Sequence, residues 1–196
     1  MTSNVVELSV ARRADPSSPE RLLERLADGD VEAVTYVYGL HHAAVRAFAR
    51  RMLSDDAAAE DVVHDTFVAL PSAASRFRGD AALRTLVFSI AVNLCRRRIR
   101  SATRQRRAFD ALAQEPIEPP GTPEAELRRR RLAASLRRGL ETLSIEHREA
   151  FVLCVVEERT STEVAEIVGI PEGTVRTRVF HARAKLRAFL EAEGLG

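Results

Sequence analysis

The sequence predicts an all-α protein of two small helical domains joined by a flexible linker, and three observations support this. Apolar residues recur at steps of three and four, and strand-like alternation is missing. Gly and Pro are sparse from Arg21 to Glu115. Then Glu115-Pro116-Ile117-Glu118-Pro119-Pro120-Gly121 breaks the pattern with a stretch unsuited to a helix and too polar for a core strand. The expected organisation is a tail over 1–19, a first domain over 20–100, a linker over 101–121 and a second domain over 122–196.

The elements follow in order. A short helix is expected over Pro19–Ala27, and Asp30 after Gly29 is a good cap for the next. That helix carries the stripe Val31, Val34, Tyr38, His41, Val45, Phe48 and Met52, in which His41 reads as a core residue rather than a ligand. A third begins at Asp55 or Asp56, presents Ala59, Val62, Val63, Phe67 and Leu70, and should stop at Pro71. A loop over Ser72–Gly79 precedes Asp80, the expected cap of a fourth helix that buries Leu83, Leu86, Val87, Ile90, Leu94 and Ile99. After the linker, Thr122-Pro123 restarts helix, with Leu127, Leu132, Leu136, Leu140 and Leu143 as apolar positions. Ser144 can cap the next helix, in which Phe151, Val152, Val155 and Val156 are apolar.

Composition excludes several classes. The 196 residues are 45% hydrophobic and 30% charged, too apolar for general disorder and too charged for a membrane protein. No apolar run approaches the roughly 18 residues of a bilayer span, and the first twenty residues lack a signal core, so a cytoplasmic chain is expected. Cys95 and Cys154 stand apart and read as ordinary thiols. No metal spacing, phosphate loop or nucleophile–base pair is recognisable; no cofactor, metal or catalytic residue is expected, and the chain reads as a non-enzyme.

The charge is near balance, 30 Lys+Arg against 28 Asp+Glu, but it is segregated. Residues 141–171 carry seven Glu against Arg148 and Arg159, whereas residues 172–190 carry Arg176, Arg178, Arg183, Lys185 and Arg187 against Glu172. Across this boundary lies the most informative stretch. Thr160 and Glu163 form a capping box, and Val164, Ala165, Ile167 and Val168 give a short one-sided helix. Gly169 closes it, and Pro171 opens a longer helix. This is a helix-turn-helix. Val175, Val179, Ala182 and Leu186 of the longer helix face the core, leaving Gly173, Thr177, Phe180, His181 and Ala184 outward. Arg176 and Arg183 flank that face on one side, Thr174, Arg178 and Lys185 on the other. Arginine can fork onto guanine, threonine can meet base or phosphate, and phenylalanine can touch a thymine methyl, so the face suits DNA.

Three more segments complete a family pattern: Asp61-Val62-Val63-His64-Asp65-Thr66-Phe67, Arg76 to Thr85, and Ile90-Ala91-Val92-Asn93. They resemble successive signatures of the sigma-2 domain of bacterial extracytoplasmic-function (ECF) sigma factors, and Leu143–Arg187 resembles the matching sigma-4 domain. The order of the motifs around a Pro-rich linker, with no sigma-3 domain, is specific. The resemblance implies an alternative sigma factor that binds core RNA polymerase and directs promoter recognition, −10 melting and transcription initiation. It implies polymerase contact at the β′ clamp through Glu60, Asp61, His64, Asp65 and Phe67. It implies −10 contacts from Arg76, Phe77, Arg78, Asn93, Arg96, Arg97, Arg98 and Arg100, and −35 contacts from Thr174, Arg176, Thr177, Arg178, Phe180, His181 and Arg183. Promoter DNA and an anti-sigma factor are the further partners.

Phe77 reads equally as a base platform or as a core anchor for its loop, and the linker as a polymerase-threading segment or a bare tether. The chain has no Trp; Pro71 and Leu86 stand where many relatives carry it, His64 replaces a common Gln, and His181 a frequent Arg. The alternative function is a helix-turn-helix regulator that acts without replacing sigma.

Overall fold

In a computed structural model the described residues are 19–77, 82–108 and 124–194, and among them the secondary structure is helical. The helices are α1 (Pro19–Ala27), α2 (Val31–Leu53), α3 (Asp56–Ala74), α4 (Leu83–Ala108), α5 (Glu124–Glu141), α6 (Ile145–Phe151), α7 (Ser161–Val168) and α8 (Glu172–Ala192). A single π turn over Val152–Val156 continues α6.

The starts of the helices are set by side-chain caps. Asp30 accepts from the Glu32 and Ala33 amides, Asp55 from Ala58, and Ser144 from His147. These acceptors satisfy amides that a first helical turn leaves unpaired. Arg25 holds the Asp30 cap at 2.6 Å, which ties α1 to the start of α2.

Helices α2, α3 and α4 form the first bundle, with α1 laid across it. Its centre is Phe48 edge-on to Phe88 at 5.8 Å, surrounded by fully buried Val37, Val45, Met52, Val62, Leu70 and Val92. The stripe expected of α2 holds at Val45, Phe48 and Met52 but not in its first half. There Val31 and Tyr38 are exposed, and Ala33 and Val37 are buried instead. The buried line is completed by small alanines, Ala33 and Ala49, which an apolar stripe of large residues passes over. Tyr38 instead stacks on His42 and meets Phe67 edge-on at 4.9 Å.

Pro71 does not end α3; the helix runs on to Ala74. The missing proline N–H removes one intrahelical bond near the end of the helix, and the Pro71 carbonyl still accepts from the Ser75 amide. Helix α4 continues past the boundary at 100 to Ala108 and buries Phe88, Ala91, Val92 and Cys95 as well as Leu86 and Val87. Burial pushes the Cys95 thiol up to about 12, so it stays an inert core thiol. Residues 1–18 of the expected tail, Arg78 and the Asp80 cap, residues 109–121 of the linker and the Thr122-Pro123 restart lie outside the described residues.

The second bundle packs α5, α6, α7 and α8 around Leu140, Leu143, Leu153, Val164, Val175, Ala182 and Leu186. Gly139 lets α8 close on α5: a Cβ there would lie 3.0 Å from Leu186 Cδ2 and 3.1 Å from Phe189 Cδ1.

The two bundles share one continuous core. Arg96 of α4 meets Glu149 of α6 through two bonds of 2.7 and 2.8 Å. The Arg148 guanidinium donates to the Met52 carbonyl at 2.7 Å, and Arg51 reaches Glu157 at 3.3 Å. Arg159 lies over the Phe88 ring, 5.6 Å from its centroid. The bundles are therefore docked on each other in this structure.

Candidate nucleic-acid interface

The helix-turn-helix is built as its sequence spacing requires. Thr160 caps α7 and Glu163 reaches back to the Thr160 amide at 2.8 Å, which closes the capping box. Gly169 takes the left-handed conformation at φ 74°, where a side chain would be strained. Ile170 is half-buried beneath the turn and packs on the core. The Thr160 amide and hydroxyl hold the Glu163 carboxyl below its ordinary value near 4.5. A lowered carboxylate adds stability that is complete above the ordinary value and is lost as pH falls through the folded one. Thr160→Ala is expected to cost about 1 kcal/mol of stability. In thermal melts the gap between wild type and Glu163→Gln should be full at neutral pH and close below about pH 4, the level set by an ordinary carboxylate. A gap that is constant with pH would refute the capping role.

Helix α8 presents the outward face expected of it. Val175, Ala182 and Leu186 are buried, whereas Thr174, Arg176, Thr177, Phe180, His181 and Arg183 are exposed. Phe180 is 70% exposed, on the surface rather than in the core. Its ring meets His181 edge-on at 5.6 Å, and His181 in turn meets His147 of α6 at 6.1 Å. Arg176 pairs with Glu172 one turn earlier, and the Thr177 hydroxyl donates to the Gly173 carbonyl at 3.0 Å. Arg178 differs from its neighbours: it is half-buried and turned toward α6.

The residues expected to meet the −10 element divide into two groups. Asn93, Arg97 and Arg100 are exposed on α4. Arg96 and Arg98 are already engaged. Arg96 is held by Glu149, and Arg98 donates to Asp61 at 3.0 Å and to Asp65 at 2.8 Å. The loop end is similar, because Arg76 folds back onto the Ser72 carbonyl and hydroxyl at 3.0 and 2.9 Å. Phe77 is half-buried and packs on the core, the anchor reading of this residue.

The acidic side of α3 is exposed at Glu60, Asp61 and His64, with Asp65 half-buried. Glu60 pairs with Arg46, and Arg98 holds the Asp65 carboxyl below the usual range. Phe67, read both in the apolar stripe of α3 and among the polymerase contacts, lies on the stripe side. It is 6% exposed, inside the core against Tyr38, because it continues the buried line of Val63 and Leu70.

Sequence reasoning passed over Glu146 and Glu149. Glu149 is fully buried, and burial raises its pKa against the opposing pull of Arg96. A signal existed: Arg148-Glu149 stands directly before the apolar run Ala150–Val156, where a charged pair must find partners.

Two family models match the chain: Sigma-70 region 2 over residues 37–105 and Sigma-70, region 4 over residues 133–186. Among relatives, RNA polymerase sigma factor NccH of Alcaligenes xylosoxydans xylosoxydans is 32% identical over 91% of this chain and 97% of its own. ECF RNA polymerase sigma factor SigM of Mycobacterium tuberculosis is 29% identical over 91% of this chain and 87% of its own. Among solved structures, CnrH in complex with the cytosolic domain of CnrY superposes with a TM-score of 0.65 at 28% identity, covering 89% of this chain and 97% of that one. RpoE of Bartonella quintana, in complex with the anti-sigma factor NepR, gives 0.63 at 27% identity over 82% and 98% of the respective chains. Helix-turn-helix, acid-faced α3 and arginine-rich α4 thus sit within matches that span nearly the whole of these relatives, and the chain belongs to the ECF group of the sigma-70 family of RNA polymerase sigma factors.

Proposed function

We propose that this chain is a dissociable initiation factor that joins core RNA polymerase through α3, engages the −10 element through α4 and the −35 duplex through the outward face of α8. The observation that carries this reading is the pairing of two matches in one chain: region 2 on the bundle with the α4 cations, and region 4 on a capped helix-turn-helix whose Thr177, Phe180, His181 and Arg183 are exposed. The polymerase performs the chemistry. The chain supplies position and sequence preference, with Arg183 and Arg176 suited to guanine or phosphate and Phe180 to a thymine methyl. An anti-sigma factor, as in the RpoE–NepR complex, is the proposed inhibitor.

The test is run-off transcription from a promoter library with purified core enzyme. Defined start sites that require this chain are the expected outcome. Failure to bind core polymerase at low salt would overturn the reading. Specific duplex binding without polymerase would instead mark a free-standing regulator.

A further inference from the structure

One stripe of α8 runs beside α6. Arg178, His181 and Lys185 stand at steps of three and four along that helix, and their charges reach His147 of α6. The two imidazoles lie edge to face with centroids 6.1 Å apart, and His181 is exposed on the outward face of α8. Ser144 Oγ lies 2.8 Å from His147 Nδ1, which fixes the ring. The Ser144 hydroxyl also serves the Glu146 carboxylate. A hydroxyl whose hydrogen goes to a carboxylate must accept from the ring. Nδ1 therefore carries the hydrogen, and the neutral ring offers a bare lone pair at Nε2. Glu146 is shared out already among its own amide, Ser144, Arg178 and Arg100 of α4. Burial, and then the Lys185, His181 and Arg178 charges, hold His147 below its ordinary value near 6.5, with Glu146 opposing them. One carboxylate among so many cations leaves the cluster suited to a further anion.

We propose that His147 is a further DNA ligand: with His181 and Lys185 it grips a backbone phosphate beside the groove that α8 reads, and it does so only after taking up a proton at Nε2. This rests on reading α8 as the −35 helix. A bare Nε2 lone pair repels a phosphate oxygen, whereas the imidazolium donates to it in a charge-assisted bond. Phosphate contacts fix register without reading sequence, so the grip acts on every promoter alike. A phosphate beside the two rings raises their proton affinity above that of the free chain, and binding takes up protons. The gain in DNA affinity is complete below the free value and is lost as pH rises through the bound one. Arginine keeps its charge at every pH, but a pair of histidines makes the hold conditional on protons.

The experiment uses holoenzyme reconstituted from the full chain and core polymerase, on a labelled promoter that the run-off assay defines. Fluorescence anisotropy reads Kd between about pH 6 and about pH 8 across a salt series, a window that brackets an ordinary imidazole. Circular dichroism checks the fold of each variant. The proteins are wild type, His147→Gln, His147→Lys and His42→Gln, the last removing an imidazole that stacks on Tyr38 in the first bundle. A shift of one pKa unit is worth about tenfold in affinity, so wild type should weaken by about tenfold per participating imidazole as pH rises. His147→Gln should match wild type at the alkaline end and fall about tenfold short at the acid end. His147→Lys should bind tightly at both ends, and His42→Gln should follow wild type. The slope of log K against log salt should be steeper at the acid end by about 0.9 for each imidazolium engaged, and His147→Gln should lose one such step. A pH profile that His147→Gln leaves unchanged overturns the proposal, as does an equal flattening in His42→Gln. A His147→Lys holoenzyme no tighter than His147→Gln at the alkaline end overturns the phosphate grip. Each of these results leaves the initiation-factor reading standing, because the holoenzyme still binds its promoter. Failure to form holoenzyme at all would overturn that reading and this one together.

Discussion

Phe48→Ala is expected to destabilise the chain by about 3–5 kcal/mol, the range for truncating a buried aromatic residue. Phe48 is fully buried at the meeting of α2 and α4, and its ring stands edge-on to Phe88 at 5.8 Å. Pairs of this kind contribute about 0.5–1.5 kcal/mol beyond simple burial. Phe88 also carries Arg84 and Arg159 over its ring at 5.7 and 5.6 Å. Loss of Phe48 therefore frees the ring on which the second bundle places Arg159. Against a total stability of about 5–15 kcal/mol, such a loss removes a large share. Urea titration followed by circular dichroism should show a lowered midpoint. A loss below about 1 kcal/mol, the size expected of a surface change, would mean that this contact is not the centre of the bundle.

Val175→Asp is expected to unfold the helix-turn-helix, at a cost of roughly 4 kcal/mol or more, as for an unpaired charge placed in a core. Val175 is fully buried at the start of α8, in the same core as Val164 and Ile167 of α7. A carboxylate there would sit in apolar surroundings, among the buried side chains Val164 and Ile167. Helix α7 spans only eight residues and is too short to persist without this packing. Duplex recognition should vanish while the first bundle still brings the protein to core polymerase, as read by co-migration on a sizing column. Val175→Ile, which keeps the site apolar, should cost about 1–3 kcal/mol at most through overpacking. Retained duplex recognition in Val175→Asp would place the reading surface elsewhere.

Much of this molecule is legible locally, because caps, glycine turns and stripes act within a few residues of themselves. Thr160, Glu163, Gly169 and Pro171 define the reading motif by short-range chemistry alone. Where large and small apolar residues alternate, the reading fails: Ala33 and Ala49 are buried, while Val31 and Tyr38 are exposed. Pro71 shows the same limit, since tertiary packing of α3 outweighs one missing bond. The cations posed a different problem. Arg96, Arg97, Arg98 and Arg100 look alike in a run of arginines, yet Glu149 holds Arg96, Asp61 and Asp65 hold Arg98, and the other two are exposed. Those partners lie 53, 37 and 33 residues away in sequence, a distance at which spacing carries no pairing information. Phe67 belongs to both the apolar stripe of α3 and the motif's polymerase group, and its helical phase with Val63 and Leu70 places it in the core.

The docked bundles are joined by one covalent connection, and this turns their seam into a matter of effective molarity. A short tether raises the local concentration of one unit around the other to the order of millimolar. If the separated surfaces bound each other at about 1 μM, the tethered form would be closed roughly a thousand to one. Any ligand selective for the open form would lose that same factor in apparent affinity. Each about 1.4 kcal/mol removed from the seam returns a factor of ten. Small changes at Arg51, Arg148 or Arg159 can thereby set how readily the chain responds to a partner, with no residue of either reading surface altered.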